Sequence, residues 1–295
     1  MIDKLDMFIA LAREGHFGRA AERLNIAQPT LSAGIKQLEE QLGVQLVYRG
    51  SRFGGLTPEG QTALQWARRI SGDVRQLRDE MRARRQGLAG EVRLAVIPTA
   101  QPWAGRLCTA FTARHPNVRF TILSRNSRQI LQMLEDFSAD AGISYLDNEP
   151  LGRVDTAVLF DESYILVCAA HHPLAQAGAV DWAALADLPL ALLTPDMQNR
   201  RIINDLFAAQ GLTPRATIES NSLIALIASV LPGQCVTVLP RDVALFLAEG
   251  KPLALVPLAG EARRQKVGLI LPQRDPRTPV LSALLAEAQE LPLSG

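Results

Sequence analysis

The sequence predicts three parts in series: an all-α head with a small β wing, one long helix, and a larger body of α/β layers. Three observations predict this. Two short helical stretches near the N-terminus are joined by a tight turn. From Thr57 a single apolar stripe runs at heptad spacing. From Glu91 onward, strand-like and helix-like stretches alternate to the end. At 295 residues the chain is long enough for two or three domains with their own cores.

The head is clearest from Phe17 to Arg49, FGRAAERLNIAQPTLSAGIKQLEEQLGVQLVYR. Ala20, Ala21 and Leu24 form a small apolar set on a first helix, Asn25 interrupts it, and Ile26 can plug the gap. Leu31, Ile35, Leu38 and Leu42 then recur at spacings of four, three and four, one face of a second helix. Gln28, Thr30, Ser32, Lys36, Gln37 and Glu40 stand opposite. Small or polar groups crowded at the start of a helix, backed by a packed partner, suit a reader of the DNA major groove. Its contact residues would be Gln28, Pro29, Thr30, Ser32 and Lys36. An ordinary helical hairpin fits the same spacing.

After Gly43, alternating Val44, Leu46 and Tyr48 suggest a strand, and Gly54-Gly55 permits a tight bend before Leu56. Arg49 and Arg52 flank Gly50 on what reads as a β wing. Guanidinium groups there would meet phosphate oxygens and fix the docking register. Solvated loop arginines are the plain alternative.

At these residues the sequence resembles the LysR-type transcriptional regulators. The matching elements are LDMFIALAREGHFGRAAERL, QPTLSAGIKQLEEQLGVQL and YRGSRFGGLTPEG, in family order and spacing. The resemblance implies an N-terminal winged helix-turn-helix, a linker helix, and a two-lobed, periplasmic-binding-protein-like effector domain. Ala27 departs from the family, which often has Ser or Thr there as the N-cap of the reading helix. Ala33 and Gly34 stand where a long polar residue is common, and Val47 replaces a frequent phenylalanine. Gly34 weakens the helix by roughly 1 kcal/mol relative to Ala.

Thr57-Pro58 opens the long helix, with Thr as N-cap and Pro at the first helical position. Gly60 at the third position excludes a capping box. Ala63, Ala67, Ile70, Val74, Leu77 and Met81 form a heptad a/d seam about three repeats long. The seam suits a partner helix, and two heads on a two-fold axis would match paired DNA half-sites. A helix lying on its own domain is the alternative. The parts are then 1–57 for the head, 58–88 for the linker and dimerisation helix, and 89–295 for the effector domain.

In the body, EVRLAVIP, VRFTIL, DAGISYL, VDTAVLF, SYILVCAA, ATIES, CVTVLP, LALVPL and QKVGLIL read as strands. Helices are expected near Trp103–Ala113, Ser127–Phe137, Arg201–Ala209, Ser222–Val230 and Pro279–Glu290. The resemblance assigns residues 91–161 plus 267–295 to lobe I and 162–266 to lobe II, joined by two crossing strands. It also makes Asp140 a structural hinge residue.

Ligands of open α/β sheets bind beyond strand carboxyl ends, near helix N-termini. Three such junctions stand out: Pro98-Thr99-Ala100, Asn126-Ser127, and Thr194 to Arg201 with Asn199 and Arg200. Hydroxyls, free N–H groups and a positive helix end suit a small carboxylate or similar anion. By resemblance, Thr99 and Ser127 align with positions that commonly touch the effector. Ser127 and Thr194 could equally be helix caps, and Arg200 or Arg201 could pair with acids such as Asp205.

The formal net charge is +1. Residues 1–88 carry fourteen Lys/Arg against ten Asp/Glu, and the remainder seventeen against twenty. A mildly basic head on a slightly acidic body fits a DNA module joined to a sensor. Cys108, Cys168 and Cys235 lie far apart in apolar runs without metal spacing, so they read as buried structural cysteines. His171-His172-Pro173 has no third ligand nearby, so no metal and no cofactor is expected. No apolar run reaches the ~18 residues that span a bilayer. The N-terminus lacks a basic region before an apolar core, which predicts a cytoplasmic protein. No GxSxG, HExxH or P-loop motif appears, so an enzyme is not expected and no catalytic residue is assigned. A plain solute-binding protein would lack the head. The expected partners are double-stranded DNA with an interrupted palindrome, a small-molecule effector such as a short carboxylate, and further copies of the chain as a homodimer or homotetramer.

Overall fold

The computed structural model describes residues 1–48, 53–260, 264–273 and 276–290. The chain divides into two compact units, Met1–Gly87 with the short segment Glu135–Ser138, and Leu88–Leu134 with the chain from Ala139 onward.

The first unit holds helices α1 (Ile2–Glu14), α2 (Phe17–Arg23), α3 (Gln28–Leu42) and α4 (Pro58–Gln86). Leu31, Ile35 and Leu38 of α3 are buried with Phe8 and Leu11 of α1 and Ala20 and Ala21 of α2. Leu42 is exposed, because the last turn of α3 runs past this core. Gly34 is buried, and an added Cβ would press on Met7 of α1. The position therefore trades helix propensity for a close α1–α3 approach.

Among the described residues the expected wing strand is an antiparallel bridge, Val47 to Leu56, with Tyr48 N–H donating to Gly55 O at 3.1 Å. Leu46 and Val47 are both buried, so strict alternation fails there. Glu39 of α3 anchors this turn: its Oε1 accepts from Leu46 N at 2.8 Å and Val47 N at 3.3 Å. Thr57 caps α4 by accepting from Gly60 N at 2.9 Å, and its hydroxyl donates to Gln45 O. Gly60 packs directly on the Leu46 carbonyl, where any Cβ would collide. That approach explains a glycine where a capping-box acid would otherwise stand.

The second unit has a five-stranded sheet in the order β2-β1-β3-β10-β4, built from β1 (Ala89–Val96), β2 (Asn117–Ser124), β3 (Ala141–Tyr145), β4 (Val154–Glu162) and β10 (Gln265–Pro272). Strands β1, β2 and β3 run parallel, while β10 is antiparallel to both β3 and β4. Helices α5 (Gln101–Arg114), α6 (Ser127–Glu135) and α11 (Pro279–Glu290) flank it. This is lobe I.

Lobe II contains β5 (Tyr164–Ala169), β6 (Leu190–Leu193), β7 (Ala216–Ser220), β8 (Thr237–Pro240) and β9 (Leu253–Pro257). The order β8-β5-β9 is antiparallel, β6 pairs β7 in parallel, and a bridge from Leu190 to Val236 links the two groups. Its helices are α7 (Trp182–Ala186), α8 (Gln198–Ala208), α9 (Leu223–Val230) and α10 (Arg241–Ala248). The chain crosses from lobe I to lobe II between β4 and β5 and returns between β9 and β10. Glu162 and Gln265 are register partners at that crossing.

Asp140 lies away from the crossing. Its carboxylate takes Arg93 N at 2.8 Å and the Arg93 guanidinium at 3.0 and 3.1 Å, stapling β1 to the start of β3 inside lobe I. His172 Nδ1 accepts from Leu174 N and caps the short turn Pro173–Gln176. Among the described residues no group of three or more His, Cys, Asp or Glu could hold a metal ion. The three cysteines are free and buried, and burial pushes the Cys108 thiol up to about 12.

Candidate functional site

Gln28, Pro29, Thr30, Ser32 and Lys36 are all exposed on α3, on the side away from its buried face. The helix starts at Ala27, which supplies no side-chain cap, and Pro29 occupies one of its first two positions. His16 caps α2, with Nδ1 accepting from Gly18 N at 3.0 Å and Arg19 N at 3.4 Å. This requires an Nδ1 without a proton, and nothing in the sequence pattern flagged it. Arg49 and Arg52 lie outside the described residues.

The α4 seam divides. Ala67 is fully buried in the head's own core and Ala63 packs half-buried beside it. These two are taken up within the chain, because α4 lies against α1, where Ser71 Oγ donates to Asp6 at 2.7 Å. Ile70, Leu77 and Met81 are exposed and Val74 is half-buried.

In the second unit a narrow chamber, with room for about one water molecule, lies between the lobes. Pro98 and Thr99 after β1, Asn126 and Ser127 at the start of α6, Tyr145 at the end of β3, and Met197, Gln198 and Asn199 at the start of α8 line it. Five of the expected residues, Pro98, Thr99, Asn126, Ser127 and Asn199, thus meet around one space. Ala100 is in the lobe I core instead, and Thr194 does not line the chamber. Arg200 is turned away: it donates to Leu193 O at 2.8 Å and Glu219 at 2.7 Å. Arg201 bonds Glu149 across the lobes at 2.7 Å, as well as Gln198. Both guanidinium groups serve as structural ties.

Ser127 does not cap α6. Asn126 does, accepting from Gln129 N at 2.9 Å while Gln129 Oε1 accepts from Asn126 N at 3.2 Å, a reciprocal capping box. The Ser127 hydroxyl is therefore released from capping. It is buried without a hydrogen-bond partner; the Asn199 amide, which makes no hydrogen bond of ordinary geometry, lies beside Glu162 and Tyr145 and interacts with both. Met197 gives α8 no side-chain cap, so first-turn N–H groups of α8 also face this region.

Behind the chamber sits Glu162, 2 % exposed. Its Oε1 accepts from Tyr164 OH at 2.6 Å and from Tyr145 OH at 2.9 Å, and Tyr145 OH also lies 3.5 Å from Thr99 Oγ1. Its Oε2 has no partner. Burial pushes Glu162 up to about 7, against the opposing pull of the Tyr164 and Tyr145 hydroxyls. Sequence reading missed Glu162 and both tyrosines. The only signal was an acidic pair, Asp161-Glu162, set between two apolar strands.

Residues 85–292 match the family described as the LysR substrate binding domain, and residues 2–61 match the bacterial regulatory helix-turn-helix protein, lysR family. The chain is a LysR-type transcriptional regulator. Such proteins bind DNA and carry an effector-binding domain; they are not enzymes. Among relatives of this regulator, XapR of Escherichia coli strain K12 is 32 % identical over 240 residues, covering 80 % of each chain. YnfL of the same strain is 31 % identical over 281 residues, covering 93 % of each. A full-length OxyR point variant from Pseudomonas aeruginosa superposes with TM-score 0.75 at 25 % identity, covering 100 % of this chain and 99 % of that one. The LysR family protein CbnR, in complex with its target DNA, shares the fold with TM-score 0.72 at 21 % identity, covering 99 % of this chain and 100 % of that one. Among the described residues no helix is long and apolar enough to cross a membrane.

Proposed function

We propose that this regulator reads an interrupted palindrome as a dimer or dimer of dimers, in the cytoplasm, and switches when a small carboxylate enters the inter-lobe chamber. The observation that carries the effector half is the buried Ser127 hydroxyl, without a partner at the start of α6, lining one space with Asn199 at the start of α8 in the other lobe. Hydroxyl and amide donors beside helix N-termini suit a carboxylate. An occupant held from both sides favours the closed lobes, and it shifts the equilibrium only by that difference in affinity.

The DNA half rests on the exposed row Gln28, Thr30, Ser32 and Lys36, with Arg49 and Arg52 as wing contacts to phosphate. Half-site pairing would come from the exposed part of the α4 seam, Ile70, Val74, Leu77 and Met81. In a gel-shift series, Gln28→Ala should relax preference at one base position, by roughly 1–3 kcal/mol. Unchanged preference would remove Gln28 from the reading face. For the effector half, a panel of short carboxylates should raise the melting temperature of the wild-type chain and not of Ser127→Ala, since a native-state ligand stabilises. Equal shifts in both would place the carboxylate elsewhere.

A further inference from the structure

A second space lies between the lobes, a groove of about 1260 Å³ that shares Pro98, Asn126 and Met197 with the chamber. Its two walls differ in chemistry. Lobe II supplies an apolar wall: Leu223 and Ile224 of α9, and Val243, Phe246 and Leu247 of α10. Ile224 is 73 % exposed and Phe246 60 %. Lobe I supplies a cationic wall, Arg106 of α5 and Arg125 just after β2. Asp196 is the one acid among the lining residues, and it accepts from Asn126 Nδ2 at 3.0 Å. Arg106 stacks on the Trp103 ring at 4.2 Å, and Arg125 donates to Ser124 O at 2.6 Å. Among the described residues neither guanidinium has a carboxylate partner. Trp103 is itself fixed: it stacks on Phe160 at 4.8 Å and donates Nε1–H to Asp242 of α10 at 3.0 Å. Asp242 and Phe246 lie one turn apart on one face of α10. The bond that steadies the cationic wall therefore steadies the apolar one too.

We propose that this groove binds an amphipathic carboxylate, a molecule with one anionic head and an aryl or alkyl body. The head meets Arg106 and Arg125, and the body covers Ile224 and Phe246. A guanidinium without a carboxylate partner matches such a head in charge and in fork geometry. Large apolar side chains exposed together in a concavity gain from being covered. The two walls border one space, so a ligand of either chemistry alone leaves a wall unused. The volume lies above the roughly 300–1,000 Å³ of ordinary small-molecule sites, so it accommodates a body of ring size. The assignment goes beyond the chamber reading, because none of these four residues lines the chamber.

Calorimetry on the full-length wild-type chain decides this with four probes: phenylpropionate, octanoate, propionate and phenylpropanol. At least one of the first two should bind, about tenfold or more tighter than propionate and phenylpropanol. Phe246→Ser and Arg106→Gln replace exposed side chains, so both variants should keep the parental melting temperature. Each should weaken the tighter ligand by about tenfold. Propionate binding as tightly would remove the apolar wall from the site, and phenylpropanol binding as tightly would remove the cationic one; either result overturns the proposal. Ser127→Ala should leave the tighter ligand unaffected. A tenfold loss there would place the ligand in the chamber, which sinks the groove and supports the chamber reading. Silence from both amphipathic acids sinks the groove alone, since the chamber reading has its own test in short carboxylates. If Phe246→Ser changes the sedimentation of the chain and not the binding of either acid, a second copy covers this face and the proposal falls.

Discussion

On α3 the polar residues Gln28, Thr30, Ser32 and Lys36 are all exposed, whereas Thr99, Ser127 and Asn199 of the chamber are each 3 % exposed. The residue types overlap and the physics does not. A hydroxyl or amide in water loses little while it waits for a partner. The same group buried and unpaired costs about 1–3 kcal/mol. The head can therefore present a wide polar surface to a large polyanion at no cost to its fold. The chamber concentrates its cost in a few buried atoms, which the proposed reading gives to a ligand. Stability should respond to mutation accordingly: at backbone contacts in the head, and at buried polar atoms in the body.

Gly60 breaks the comparison on the head side most strongly. Its Cα lies on the Leu46 carbonyl, so Gly60→Ala must push the wing turn off α4. A loss of about 4 kcal/mol or more is expected, with the Leu46 and Thr57 amides exchanging early. Hydrogen exchange that stays slow at both amides would mean the turn yields easily. The exposed reading residues would then be less rigidly held than the contact implies.

Glu162 sharpens the body side. Its folded value, about 7, stands above the ordinary carboxylate value of 4.5. Below that ordinary value both states are protonated and nothing is lost. Between 4.5 and about 7 the native state holds more protons than the unfolded one, so stability falls as pH rises. Glu162→Gln should remove this slope and, above pH 7, stabilise the fold by up to roughly 3 kcal/mol, read as a higher melting temperature. Parallel melting curves for the two proteins from pH 5 to pH 8 would show that Glu162 does not carry the term.

The same contrast explains what the sequence could tell. Amphipathic spacing exposed α3 because water and core divide its two faces, and the alternation of the body was legible for the same reason. Leu42 was misread because periodicity cannot say where a core ends. Ala63 and Ala67 matched a heptad seam yet pack inside the chain, since one stripe can serve either partner. The four-residue β6 and the helix α10, starting straight after Pro240, carry too little pattern to stand out. In the chamber, Ser127 was half-read as a cap. Asn126 took that role through Gln129, and only a tertiary view releases the hydroxyl. Arg200 was drawn into the site by its neighbours in sequence, while Glu219 on β7 pulls its side chain away.

The smallest expected effect is at Ala27. The family often places a hydroxyl there, and a missing N-cap ordinarily costs about 1 kcal/mol. Its usual targets are the second and third N–H groups of the helix. In α3 the second position is Pro29, which has no N–H, and the third is Thr30, whose N–H already lies 3.0 Å from Ala27 O. A serine hydroxyl would compete for a donor in use. Ala27→Ser should therefore stabilise the head by only a few tenths of a kcal/mol, well below the ordinary cap value. The Gln28 N–H has no side-chain cap near it. A gain of a full kcal/mol in chemical denaturation would show that Thr30 N–H was open after all. The start of the reading helix would then resemble the chamber, with a donor left unpaired for its ligand.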